Sequence, residues 1–229
     1  MMRHVLRLVF RLGLGLGALL GATWLLLGLG EKPLLVNRSG FSQAVVDERG
    51  ELLRLTLTGD EKYRLWVPLA QMPQAMIDAT LQQEDRHFFR HFGINPLSLG
   101  RAVWSTYLSG SRRIGGSTLT MQLARMRYGI ESSTPRGKLE QMLRALQLER
   151  QFSKEEILEA YLNLAPYGGN IEGVGAASLI YFAKDANHLD LREALTLSVI
   201  PKSPSARAPR SAAALARLAS ARQRLFDDW

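Results

Sequence analysis

Residues 12–30 carry no charge and consist almost wholly of leucine, glycine and alanine, and no other stretch restricts so strongly what this chain can become. A helix of that length roughly spans the ~30 Å hydrocarbon core of a bilayer. Arg3, Arg7 and Arg11 precede it. The positive-inside rule therefore places residues 1–11 in the cytoplasm and everything after Glu31 on the outer side. A cleaved signal peptide is the competing reading, but the run is long for a signal core and lacks a clear small-x-small cleavage site. The expectation is a single-pass anchor over 12–30.

The remainder of the chain has room for one domain. The chain has 229 residues with 46% hydrophobic content, enough for an anchor plus a domain with a proper core. It has no cysteine, which excludes disulfides and thiolate metal sites. The net charge of +8 implies an anionic partner such as a phosphate, a lipid head group or nucleic acid, and composition does not choose among them.

Residues 41–68 show short β-like runs broken by turn residues, over 44–46, 52–58 and 63–67. They predict a hairpin or meander within a β-containing spacer over 31–70. From residue 71 onward the pattern is helical. A helix over 73–86 takes Ile77, Leu81 and Phe88 on its apolar stripe, with Glu84 on the same stripe and Asp85 on the solvent side with Asp78. A carboxylate among apolar groups is costly and its neutral form is favoured, so Glu84 is a candidate general acid or base. The plainer alternative is a helix end whose Glu84 bonds an arginine or a backbone amide.

Further helices are expected over 97–108, 119–127, 135–146, 153–164, 173–182, 190–201 and 211–226. Leu97, Val103, Trp104, Tyr107 and Leu108 give the first of these a surface suited either to a membrane interface or to an ordinary core. Residues 109–118 form a glycine-rich loop with Arg112 and Arg113 that leads into a helix N-terminus. Such a loop suits a phosphate, although many only cap the helix. In the helix from Pro135, Leu139, Met142, Leu143 and Leu146 form the expected core stripe, with Lys138 and Gln141 on a separate, solvated face. Ser153 with Glu156, and Asp190 with Glu193, are capping pairs.

Four of these stretches together resemble the family 51 peptidoglycan glycosyltransferases, the transglycosylase domain of class A penicillin-binding proteins. Glu84-Asp85-x-x-Phe88-x-x-His91-x-Gly93 is similar to the first motif, and Gly115-Gly116-Ser117-Thr118-Leu119-Thr120-Met121-Gln122 to the second. Tyr161-Leu162-Asn163 with Tyr167-Gly168 and Gly173 resembles the fourth, and the stretch from Glu193 to Ser205 the fifth. The chain also departs from the pattern. Met121 stands where the second motif has its first glutamine, and Lys202 where glutamine is usual. Gln141 replaces the carboxylate of an Arg-Lys-x-x-Glu third motif, with Glu140 one position out of register and turned about 100° round the helix. The Met121 and Gln141 departures are similar to the penicillin-binding protein 1C subgroup. No Ser-x-x-Lys or Lys-Thr-Gly of a transpeptidase occurs in the chain.

The resemblance implies a mainly α, lysozyme-like domain over 71–229 that polymerises lipid II into glycan strands at the outer face of a bacterial inner membrane. Glu84 would act as base with Asp85 supporting it. Ser117, Thr118, Gln122, Arg125 and Lys138 would bind the donor and its pyrophosphate. Gln141 marks the second-carboxylate position, and Phe88, His91, Gly93, Tyr161, Asn163 and Gly168 support the site. Mg²⁺ would ride on the substrate diphosphate, with no protein metal cage. The implied partners are lipid II, the growing strand, the membrane and a separate transpeptidase or other wall-synthesis proteins, without nucleic acid. A lytic glycan hydrolase and a non-catalytic cell-wall scaffold are the rival readings.

Overall fold

The computed structural model of the protein describes residues 40–49, 52–96 and 116–229, with positions 15, 21, 22 and 100. The anchor expected over 12–30 lies outside the described residues save for three positions, as do Arg112, Arg113 and nearly all of 97–108. Among the described residues, no helix is long and apolar enough to cross a membrane.

The first two β runs form the expected hairpin. β1 (Ala44–Val46) and β2 (Leu52–Leu55) pair antiparallel, with Ala44 opposite Leu55. The third run does not continue a meander: β3 (Tyr63–Arg64) pairs in parallel with β5 (Ile171–Glu172), which pairs antiparallel with β4 (Pro166–Gly168). Arg64 explains the pairing, because its side chain is buried and donates to Glu172 Oε2 and to Asp60 Oδ2. The two carboxylates keep some access to water, at 22% and 34% side-chain exposure. Arg64→Ala is expected to lower stability by about 2–3 kcal/mol, below the usual loss for breaking a fully buried pair because water can take up the freed carboxylates. Urea unfolding with an unchanged midpoint would contradict this.

Eight helices of the described residues make up the body. They are α1 (Gln74–Glu84), α2 (Leu119–Tyr128), α3 (Pro135–Gln151), α4 (Lys154–Leu164), α5 (Val174–Phe182), α6 (Leu191–Val199), α7 (Pro204–Arg207) and α8 (Ala212–Asp227). Local chemistry sets most of their ends. Thr118 and Thr134 cap α2 and α3, and both expected capping boxes form, at Ser153–Glu156 and Asp190–Glu193. Helix α1 packs on α6, α2 packs on α3 and α4, and α8 packs on α6. One apolar core runs through them, with Met76, Leu119, Leu123, Ile157, Leu162 and Leu197 almost fully enclosed.

Two expected helix faces are corrected. On α1 the innermost residues are Met76, Ala79 and Thr80, while Ile77 and Leu81 lie half-buried against the same core. On α3 the buried face is Gly137, Gln141, Ala145 and Leu148, and Leu139 and Leu143 are exposed. Close approach is the reason. A Cβ on Gly137 would stand 2.0 Å from the Glu131 carbonyl oxygen. That clearance keeps Gly137 against the turn that leads into α3, and Gln141, Ala145 and Leu148 follow it on the inner face while Leu139 and Leu143 turn outward. The close packing expected of α5 does occur: a Cβ on Gly175 would lie 2.5 Å from the Leu65 carbonyl oxygen.

Candidate active site

Glu84 is the last residue of α1, and its carboxylate turns toward α2. Oε2 accepts from Gln122 Nε2 at 2.8 Å, whereas Oε1 is sealed from water without a hydrogen-bond partner. Burial pushes the carboxyl above the ordinary glutamate range and the Asp85 charge adds to the rise, while Gln122, Lys202 and Arg207 oppose it. The result is a carboxyl group that is held, not solvated. Two buried phenols feel its charge. Tyr161 and Tyr167 are both 1% exposed, and burial, followed by the charge of Glu84, raises both well above a normal tyrosine.

Asp85 does not point to water as the helix spacing predicts. Its side chain is 6% exposed, because α1 stops there and the backbone breaks away from helical geometry. Oδ2 accepts from the Leu119 backbone N–H at the start of α2 and lies 3.0 Å from His91 Nε2. Asp85 thus ties the end of α1 to the start of α2 and fixes where its neighbour Glu84 sits.

The loop behind this pair is clamped. Phe88 is buried, and Lys154 Nζ stands 4.4 Å from its ring centre. Lys154 also donates to the His91 carbonyl and to Glu149, which accepts from Thr120. Gly93 has φ +77°, and a Cβ there would strike Ala145 O at 2.9 Å. Thr118 donates to the Gly93 carbonyl and accepts from Met121 N, so its hydroxyl proton is committed to the fold and not presented to a ligand. Asn163, fully buried, brackets Val67 by bonding both its N–H and its carbonyl. Gly168, at φ +107°, lets Ala208 approach to where a Cβ would be 2.4 Å away.

A second polar row lies one layer over. Lys138 Nζ donates to Ser117 Oγ at 2.6 Å and to Gln141 Oε1 at 2.8 Å. Gln141 is 1% exposed, so the solvated face expected for it is corrected, and its Nε2 donates to the Met121 carbonyl. Burial, and then the nearby charge of Arg125, lowers the Lys138 pKa. A cleft of about 310 Å³ is lined by residues 82–87, 95 and 116–118, which brings Glu84 and Ser117 to one opening. A larger, mostly apolar groove of about 590 Å³ between α5, α6 and α8 includes none of these residues.

Gln141→Glu is expected to lower the melting temperature, because losing the Nε2 donor leaves the Met121 carbonyl facing another acceptor at a cost of about 1–3 kcal/mol, which the new ion pair with Lys138 offsets only in part. A calorimetric scan with an unshifted or raised midpoint would refute that packing argument. Sequence reasoning missed Arg207 and Tyr167 as neighbours of Glu84. Tyr167 was visible within the fourth motif, but Arg207 carried no signal beyond the basic stretch after Pro201.

Among the described residues, no group of three or more histidine, aspartate or glutamate side chains gathers to hold a metal ion. Fold and site together define a mainly helical domain with one sealed carboxylate, held by an amide donor, near a lysine–serine pair. Residues 49–228 match the family model described as Transglycosylase, and the chain belongs to that family. The membership expected from the four motifs is thereby borne out. The chain is similar to penicillin-binding protein 1C of Escherichia coli (strain K12), 41% identical over 173 residues, which are 76% of this chain and 22% of that protein. It is also similar to penicillin-binding protein 1F of Bacillus subtilis (strain 168), 35% identical over 179 residues, 78% of this chain and 24% of the relative. A solved structure of penicillin-binding protein 1A from Haemophilus influenzae aligns with TM-score 0.43 and 24% identity over 83% of this chain and 18% of that one. The chain thus spans under a quarter of the length of these curated relatives.

Proposed function

We propose that this chain is a membrane-anchored peptidoglycan glycosyltransferase that polymerises lipid II, with its catalytic domain on the outer face of the inner membrane. The observation that carries the reading is Glu84: one carboxylate oxygen sealed from water, the other held by Gln122, beside the Ser117–Lys138 pair. In the proposed step Glu84 takes the proton from the acceptor sugar's 4-hydroxyl. The freed oxygen bonds to the anomeric carbon of the growing strand from the face opposite the leaving group. The bond from that carbon to the lipid diphosphate breaks, its electron pair leaves on the phosphate oxygen, and the configuration inverts. Lys138, the hydroxyl proton of Ser117 and the exposed Arg125 are the chain's own groups for the charge that develops there. Mg²⁺, when present, would neutralise diphosphate charge.

A hydrolytic reading fits less well. An ordinary glycosidase works with a second carboxylate across the bond, but Asp85 is committed to Leu119 N and His91. The test is to incubate the detergent-solubilised chain with lipid II and, separately, with finished peptidoglycan. Glycan strands from lipid II are the expected product; cleavage of peptidoglycan without polymerisation would establish the hydrolase. A transpeptidase acting on the product is the expected functional partner.

A further inference from the structure

Residues 82–87 line the Glu84 cleft as one continuous wall, and four of their six side chains are already tied down. Gln82 donates to the Asp228 carbonyl at 2.7 Å, and Arg86 Nη2 lies 3.4 Å from Asp228 Oδ2, so the residue that ends α8 grips the last turn of α1. Glu84 is held by Gln122, and Asp85 by Leu119 N and His91. Gln83 and His87 remain. Among the described residues neither side chain has a hydrogen-bond or ionic partner, although Gln83 is half-buried.

The backbone under these two residues is therefore fixed by their neighbours, while their own amide and imidazole stay open. A half-buried amide without a partner is unfavourable until a ligand supplies one. Gln83 directly precedes Glu84 and His87 follows it by three residues. A ligand that fills this cleft and offers a hydroxyl to Glu84 meets both.

We infer that Gln83 and His87 set specificity for the acceptor sugar by holding the two hydroxyls that flank the reacting one. This rests on the glycosyltransferase reading, which puts a sugar 4-hydroxyl on Glu84. In a hexose the neighbours of that oxygen are the 3-hydroxyl and the 6-hydroxymethyl, one on each side. A sugar hydroxyl both donates and accepts, and an amide or a neutral imidazole answers it in either role. A site built to bond a hydroxyl rejects the analogue that lacks it, because its own polar group is then left unpaired. An anion fits this wall less well than a neutral polyol. Its one arginine is answered by Asp228, and the Glu84 and Asp85 carboxylates stand beside it.

The test reads binding, so it does not depend on turnover. The full chain in neutral detergent micelles is titrated calorimetrically with a soluble disaccharide that ends in N-acetylglucosamine, and with the forms lacking the 3- or the 6-hydroxyl of that end sugar. Wild type is expected to bind the parent about tenfold more tightly than either deoxy form. Gln83→Ala should lose the preference against one deoxy form and His87→Ala the preference against the other. The melting temperature should not move, because neither side chain bonds to the protein. Equal affinity of wild type for the three compounds would overturn the proposal, as would variants that keep both preferences. So would a variant that weakens all three sugars alike, which is the mark of a disturbed wall and not of a lost hydroxyl contact. If the preferences stand while lipid II is not polymerised, the glycosyltransferase reading falls and the sugar subsite remains.

Discussion

Glu84→Gln is expected to lower kcat/KM for lipid II polymerisation by about 10²–10⁴, the usual range for loss of a general base. The amide matches the carboxylate in shape and keeps an oxygen for Gln122, but it does not accept a proton from the sugar hydroxyl. The loss should fall on kcat, because no substrate contact is removed. Stability should move the other way. Burial raises the folded pKa of Glu84, so its contribution to stability is whole below the ordinary glutamate range and is lost as pH rises through the folded value. At neutral pH wild type bears that loss and Glu84→Gln does not, so the variant should melt no lower than wild type. The same shift sets the acid limb of the wild-type rate profile, whose midpoint should exceed the ~4.3 of an ordinary glutamate. A variant that polymerises at the wild-type rate would end the assignment of Glu84 as base.

Much of this site was legible because its residues are local. Glu84, Gln122 and Lys138 each sit on a helix whose start and spacing are written in short-range chemistry, such as the Thr118 and Thr134 caps. What remained hidden depends on how helices meet. Ideal helical geometry, extended past Glu84, sends Asp85 to solvent, yet the helix ends there and the side chain swings to Leu119 N and His91. The leucines of α3 suggest a buried stripe, but the bond from Gln141 to the Met121 carbonyl and the approach of Gly93 to Ala145 turn a different face inward. The pairing of Tyr63–Arg64 with Ile171–Glu172 joins segments far apart in the chain, and a buried arginine in so short a strand gives no such signal. The charge of Arg207 acts on Glu84 through the same kind of long-range folding.

Lys138→Met is expected to lower kcat/KM by about 10²–10³, comparable to removing one positioned donor from charge that develops in a transition state. Two of the three ammonium protons are engaged by Ser117 and Gln141, which aim the group and leave one for a ligand. Its charge is poorly supported in the free protein: burial and Arg125 lower its pKa, and Gln141 supplies only an amide oxygen where a carboxylate would neutralise it. An arriving diphosphate relieves that imbalance, so part of the binding energy of the leaving group comes from a cation the fold itself does not satisfy. Methionine keeps the length and removes the charge, and it is easier to bury, so folding should survive with the melting temperature level or higher. The role is separable from general packing by product inhibition. Inhibition by a short-chain prenyl diphosphate should weaken in Lys138→Met in step with the lost rate, while inhibition by a neutral disaccharide stays as in wild type. A variant that loses rate but is inhibited by the diphosphate as strongly as wild type would place Lys138 in the scaffold and move the leaving-group role to Arg125 and Ser117.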